Sequence, residues 1–179
     1  MSKAKAAFES SIKDAEDLLA HFDALSKPPP ENAEVLKRAG LVMALTAWET
    51  YVEDRVLEEV TARLRVVNGS YVGKFVLRRL EEELRRFHNP TSEKTRKLFN
   101  DFLEVDVTAK WEWQHYDSAK ARKSLDDLLS KRGDAVHRSK PSTAGTSPAP
   151  HLVKREDLEK SIRFLKSLVE ATDKALIEE

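Results

Sequence analysis

Arg132 and His137 stand five residues apart in the run Arg132-Gly133-Asp134-Ala135-Val136-His137, and their types are those that cleavage of RNA without a metal requires. An imidazole moves a proton near neutral pH, while a guanidinium that stays charged holds the non-bridging phosphate oxygens as negative charge builds on them. The nucleophile would be the RNA's own 2′-hydroxyl attacking the neighbouring phosphate. That chemistry leaves a 2′,3′-cyclic phosphate and a 5′-hydroxyl, and it spares DNA, which lacks the attacking group. No cysteine is present, and His115 stands without neighbours at metal-ligand spacing, so neither a metal nor a cofactor is expected.

Spacing alone does not make a site. On a helical wheel of ~100° per residue, Leu125, Leu128, Leu129 and Val136 form one apolar stripe, and Arg132 falls inside it. A guanidinium among leucines is costly to desolvate unless a carboxylate, a phosphate or a polar cleft receives it. His137 lies on the flank, roughly 140° round and about 7.5 Å further along the axis. To meet at one atom, the pair needs a long reach by the arginine, a helix loosened at Gly133, or a second copy of the chain. The plainer readings are a helix-end histidine facing the last carbonyls and an arginine held in a structural ion pair.

The elements that must carry these residues read as helices parted by clear breaks. Phe8, Ile12, Ala15, Leu19 and Phe22 keep helical spacing up to Pro28-Pro29-Pro30, which ends a first helix. A second is expected from near Glu31 to Val67, with Leu41, Leu45, Trp48, Val52 and Val56 along one side, stopped by Asn68-Gly69-Ser70. Glu49 sits at the edge of that side, where it would reach Arg132 if the two helices pack and would orient the arginine or the histidine; an exposed glutamate is the alternative. A third helix is expected from Val72 to Phe87 on Val76, Leu80, Leu84 and Phe87, breaking at His88-Asn89-Pro90. A short fourth begins at Thr91-Ser92-Glu93 and ends near Leu103. Val105, Val107, Trp111 and Trp113 follow in a period-two stretch too isolated for a sheet, the tryptophans serving packing or dimer contact rather than base stacking. Ser118 is the expected N-cap of the helix that bears Arg132. The tract 139–151, rich in Ser, Thr, Pro, Ala and Gly, reads as a flexible loop, a connection or a guide for substrate. Leu158, Ile162, Leu165, Val169, Thr172 and Leu176 describe a last amphipathic helix. The fold class is therefore all-α, a single-domain bundle of about five to six helices spanning 1–179, with no internal repeat.

Ser130-Lys131-Arg132-Gly133-Asp134-Ala135-Val136-His137-Arg138 resembles the arginine-x4-histidine signature of HEPN domains, particularly their RiboL-PSP-like branch. The segment Gly40 to Glu53, an apolar run leading into Trp48-Glu49-Thr50-Tyr51, is similar to that branch's long early helix. The resemblance implies a helical domain that forms a homodimer, with the arginine and histidine of both protomers in one shared cleft that cuts RNA without metal. It also implies kinship with toxins of toxin–antitoxin pairs and effectors of phage defence, hence an antitoxin or regulatory protein as partner. Two positions depart from the pattern. A polar residue often follows the arginine in relatives, where Gly133 stands here. A subgroup carries a tyrosine two residues after the histidine, where Ser139 stands, so control by nucleotide modification of that tyrosine is not supported.

Charge bounds the partners. The chain has 179 residues, of which 31 are basic and 31 acidic, which argues against a protein that coats RNA by neutralising phosphates. Locally the balance shifts: between Ser118 and Lys140, seven Lys and Arg residues face only Asp126, Asp127 and Asp134. Lys131, Asp134 and Arg138, beside the arginine and histidine, are the expected RNA contacts, a solvated basic helix face being the plainer reading. No apolar N-terminal core and no membrane-length run appear, so the chain reads as cytoplasmic with no membrane partner. Three functions fit: a metal-independent endoribonuclease acting as toxin or defence effector, a catalytically inactive HEPN-like module that binds RNA or nucleotide, and a helical dimerisation domain whose Arg132 merely pairs with an internal acid.

Overall fold

In the computed structural model, residues 1–137 and 153–177 are described, with side chains described up to Gly133 and again from Val153. The described residues contain six α-helices and three short 3-10 turns, joined by short connections, and no strand. The fold class expected from the sequence, all-α and HEPN-like, is the one observed.

Helix α1 (Lys3–Asp23) starts at Ser2, whose Oγ accepts the Lys5 backbone N–H at 3.1 Å, and it buries Ala4, Phe8, Ile12, Ala15 and Leu19 along one stripe. After the three prolines, the expected second helix resolves into three pieces: a 3-10 turn (Glu31–Ala33), helix α2 (Glu34–Arg63) and another 3-10 turn (Leu64–Val67). The tightened ends let the terminal amides and carbonyls bond three residues away where an α ladder runs out of partners. Gly69, at φ +87°, then turns the chain in a conformation that side-chain-bearing residues avoid.

Helix α2 is the axis of the molecule and packs against α1, α3, α4, α5 and α6. Its Leu41, Leu45, Trp48, Val52 and Val56 are all buried in one continuous core. At Gly40 a Cβ would come within 2.8 Å of the Leu158 side chain, so glycine permits the close approach of α2 to the last helix.

Helix α3 (Tyr71–Leu84) stops short of Phe87, which leaves the helix and inserts its ring into the core as an anchor. Helix α4 (Ser92–Leu103) is capped by Thr91, whose Oγ1 accepts from Lys94 N at 3.3 Å, and ends at Glu104 in the left-handed conformation. The alternating apolar stretch after it is no strand. Val107–Lys110 forms a 3-10 turn, and Trp111 is wholly buried, with Nε1 donating to Thr172 Oγ1 at 2.9 Å and its ring edge-on to Trp48. Trp113 stacks on Tyr116 and leans on Phe164. The tryptophans of this segment thus pack within the chain.

Helix α5 (Ser118–His137) is capped one residue earlier than expected: Asp117 Oδ1 accepts the Lys120 N–H at 2.7 Å. Aspartate and serine are both good N-caps, and the geometry chooses the carboxylate. Helix α6 (Arg155–Ile177) buries Leu158, Ile162, Leu165, Val169, Thr172 and Leu176 as the spacing requires. No helix among the described residues is long and apolar enough to cross a membrane.

Candidate active site

The helix that carries Arg132 is seated by two contacts. Leu125 and Leu129 enter the core. On the neighbouring turn, Asp126 takes the start of α4 in both oxygens, Oδ1 accepting from Ser92 N at 2.8 Å and Oδ2 from Ser92 Oγ at 2.7 Å. This seat brings the C-terminal half of α5 across the middle of α2.

Arg132 meets Glu49 there, 83 residues away in the chain, with Nη1 donating to Oε2 at 3.0 Å. The desolvation problem set by an arginine in an apolar stripe is thereby met by a carboxylate. The pair is open at its rim, since the arginine side chain keeps 25% of its exposure and the glutamate 17%.

The other oxygen of Glu49 faces the connection between α3 and α4. Asn89 N donates to Oε1 at 3.4 Å, and His88 Nδ1 lies 3.7 Å from the same atom. The connection is fixed on both sides: Trp48 Nε1 donates to the Pro90 carbonyl at 3.2 Å, and Lys94 Nζ donates to the His88 carbonyl at 2.6 Å. One turn along α2, burial and then the neighbouring Glu49 and Asp54 charges push the Glu53 carboxyl up, an effect that His88 partly offsets. One carboxylate thus holds a guanidinium by a hydrogen bond and lies 3.7 Å from an imidazole, with a second carboxyl one turn away.

Of the residues expected at the site, the structure brings Arg132 and Glu49 together and turns Lys131 elsewhere. Lys131 lines a cleft of about 210 Å³ between α5 and α6 with Tyr116, Asp127, Asp157 and Lys160, one helical step round from Arg132. The basic run of α5 is not one patch either: Lys120 Nζ is spent on the His115 carbonyl and the Tyr116 ring, and Arg122 Nε on the Ser118 carbonyl. The side chains of Asp134 and His137, Arg138 as a whole, and the 139–151 tract lie outside the described residues. Among the described residues, no group of three or more His, Cys, Asp or Glu side chains is arranged to hold a metal ion. His88 is the residue that sequence reasoning missed. Its run His88-Asn89-Pro90 announced a helix break, and nothing local in it announces Glu49.

An all-α bundle of this kind is consistent with the fold of a HEPN domain. The RiboL-PSP-HEPN family model matches residues 9–178, and the chain belongs to that family. Neither the curated proteins nor the solved structures provide a match. RNA cleavage, RNA binding and dimerisation recur among HEPN domains, so membership points to a function on RNA.

Proposed function

We propose that the protein is a metal-independent endoribonuclease in which Arg132 binds the scissile phosphate, His137 transfers protons and Glu49 orients the arginine. The observation that carries this reading is the half-open Arg132–Glu49 pair in a chain of the RiboL-PSP-HEPN family. A phosphate entering at the rim is a bidentate acceptor of the kind guanidinium prefers. Neutral His137 takes the 2′-hydroxyl proton, and a protonated imidazole returns one to the departing 5′-oxygen. The proposal includes a homodimer in which two such sites share one cleft, so that the partner copy supplies a second histidine. Lys131, Asp134 and Arg138 are proposed to contact the RNA around the cleaved bond. In the cell this fits a cytoplasmic toxin or phage-defence effector restrained by an antitoxin or regulatory protein.

The same contact also favours a second reading, since an arginine already neutralised by Glu49 has a sufficient structural partner. A HEPN-like module of that kind would bind RNA or a partner chain without cutting. Incubating purified protein with total RNA in EDTA decides between them. The nuclease reading expects fragments ending in 2′,3′-cyclic phosphate and 5′-hydroxyl, abolished in His137→Ala; uncut RNA retained by a folded protein selects the binding module.

A further inference from the structure

Breaking an RNA strand by 2′-hydroxyl attack takes two proton transfers, one from the attacking oxygen and one to the departing oxygen. His88 has the geometry for the second. Its ring is 77% exposed, yet its backbone is among the better fixed parts of the surface. The buried Phe87 precedes it, its carbonyl is held by Lys94, and the following residues are tied to Glu49 and Trp48. Nδ1 faces Glu49 Oε1 at 3.7 Å, which leaves Nε2 directed away from the carboxylate and toward solvent. A carboxylate behind one ring nitrogen sets the orientation of an imidazole and accompanies its protonated form, while the far nitrogen works on a substrate. Because the other oxygen of Glu49 holds Arg132, the guanidinium and the imidazole stand on the two oxygens of one carboxylate. Among the described residues, the charged groups on the elements beside His88 include Glu49 and Glu53 of α2, Lys94 of α4, which holds its carbonyl, and Arg132 of α5, which is paired with Glu49.

We infer that His88 is a general acid of this site, donating the Nε2 proton to the 5′-oxygen as it leaves. In the balanced step, the 2′-oxygen forms a bond to phosphorus and gives its proton to the base assigned above, the bond from phosphorus to the 5′-oxygen breaks, and that oxygen takes the proton of His88. The imidazole ends neutral and is reprotonated from water. The inference rests on the nuclease reading and adds to it a proton donor on the same chain as the arginine.

The test compares wild type, His88→Ala and Arg132→Ala on two oligoribonucleotides, one ordinary and one with sulfur in place of the bridging 5′-oxygen. A thiolate leaves without protonation, so loss of a general acid is masked on the sulfur substrate. On ordinary RNA, His88→Ala is expected to be slower by about 10²–10⁴-fold and to lose one limb of the pH–rate profile. On the sulfur substrate it is expected to approach the wild-type rate. Equal slowing on both substrates, or full activity on ordinary RNA, overturns the inference. If His88→Ala gives either of those overturning results while Arg132→Ala is inactive, the nuclease reading stands and His88 falls; if wild type cuts neither substrate, both fall together. The exposed position of His88 keeps the variant folded, which circular dichroism of the same samples checks.

Discussion

Among the arginine–carboxylate pairs that cross between helices in the described residues, Arg55–Asp173 and Arg132–Glu49 differ in how completely they are sealed. Arg55 Nε donates to Asp173 Oδ1 at 2.8 Å, both side chains keeping 6% of their exposure. Around them Ser2 Oγ donates to the same carboxylate oxygen at 2.7 Å, the Tyr51 hydroxyl lies 3.4 Å from it, and Glu59 takes Arg55 Nη1 at 2.9 Å. Burial first, and then the Asp173 charge, push the Tyr51 hydroxyl well above its ordinary range. That pair binds the start of α1, the middle of α2 and the end of α6 into one network. Arg132–Glu49 uses the same chemistry with the arginine side chain keeping 25% of its exposure and an exposed imidazole beside the other oxygen of the acid. A sealed ion pair can only be kept or broken, whereas an open one can exchange its acid for a ligand. This contrast supports the proposal that the first pair serves the fold and the second serves function.

The assignment breaks most visibly at Asp173. Replacing it by Ala leaves Arg55 without its inner partner in the interior, which costs ~3–5 kcal/mol in buried pairs. Urea denaturation of Asp173→Ala should register a loss of that size; a loss below about 1 kcal/mol, the range of exposed pairs, would make the two arginines alike.

Glu49→Gln sharpens the contrast from the other side. A rim pair of this exposure contributes about 1 kcal/mol or less, so the midpoint in urea should barely move while cleavage falls, because the amide no longer orients Arg132 and His88 as an anion does. Stability lost without any change in cleavage would assign Glu49 to the fold.

The smallest expected effect concerns Glu53. Its folded-state pKa is raised, chiefly by burial and then by Glu49 and Asp54, so the folded protein binds a proton more readily than the unfolded chain. Stability from this group is therefore full below the unfolded carboxylate value and is lost as pH rises through the raised folded value. Glu53→Gln removes that loss. Thermal melts should show the variant gaining on wild type as pH goes from 4 to 7, and a constant difference across that range would contradict the assigned cause.

How much of this was written in the sequence depends on the distance over which the cause acts. Helices with a clean apolar stripe, such as Leu158 to Leu176, or with hard breakers, such as Pro28-Pro29-Pro30, declare themselves because periodicity and local sterics operate within a few residues. The meeting of Glu49 with Arg132 was legible too, since an arginine inside a leucine stripe demands an acid and Glu49 borders the stripe that faces it. Asp117 displaced Ser118 as the cap of α5 because both satisfy the same local rule. Lys131 turned to another cleft because neighbouring residues on a helix point about 100° apart. His88 gave no signal at all: its value comes from Glu49, some forty residues earlier in the chain, and only packing brings the two together.

On the proposed reading, Arg132 sits beside Glu49 in order to receive a phosphate. The rate of RNA cleavage by Arg132→Ala in EDTA, relative to wild type, tests it most directly. Loss of the cation that holds the developing phosphate charge predicts a fall of about 10²-fold or more in a protein whose urea midpoint is nearly unchanged. Cleavage by Arg132→Ala at the wild-type rate would leave the guanidinium no part in holding the phosphate.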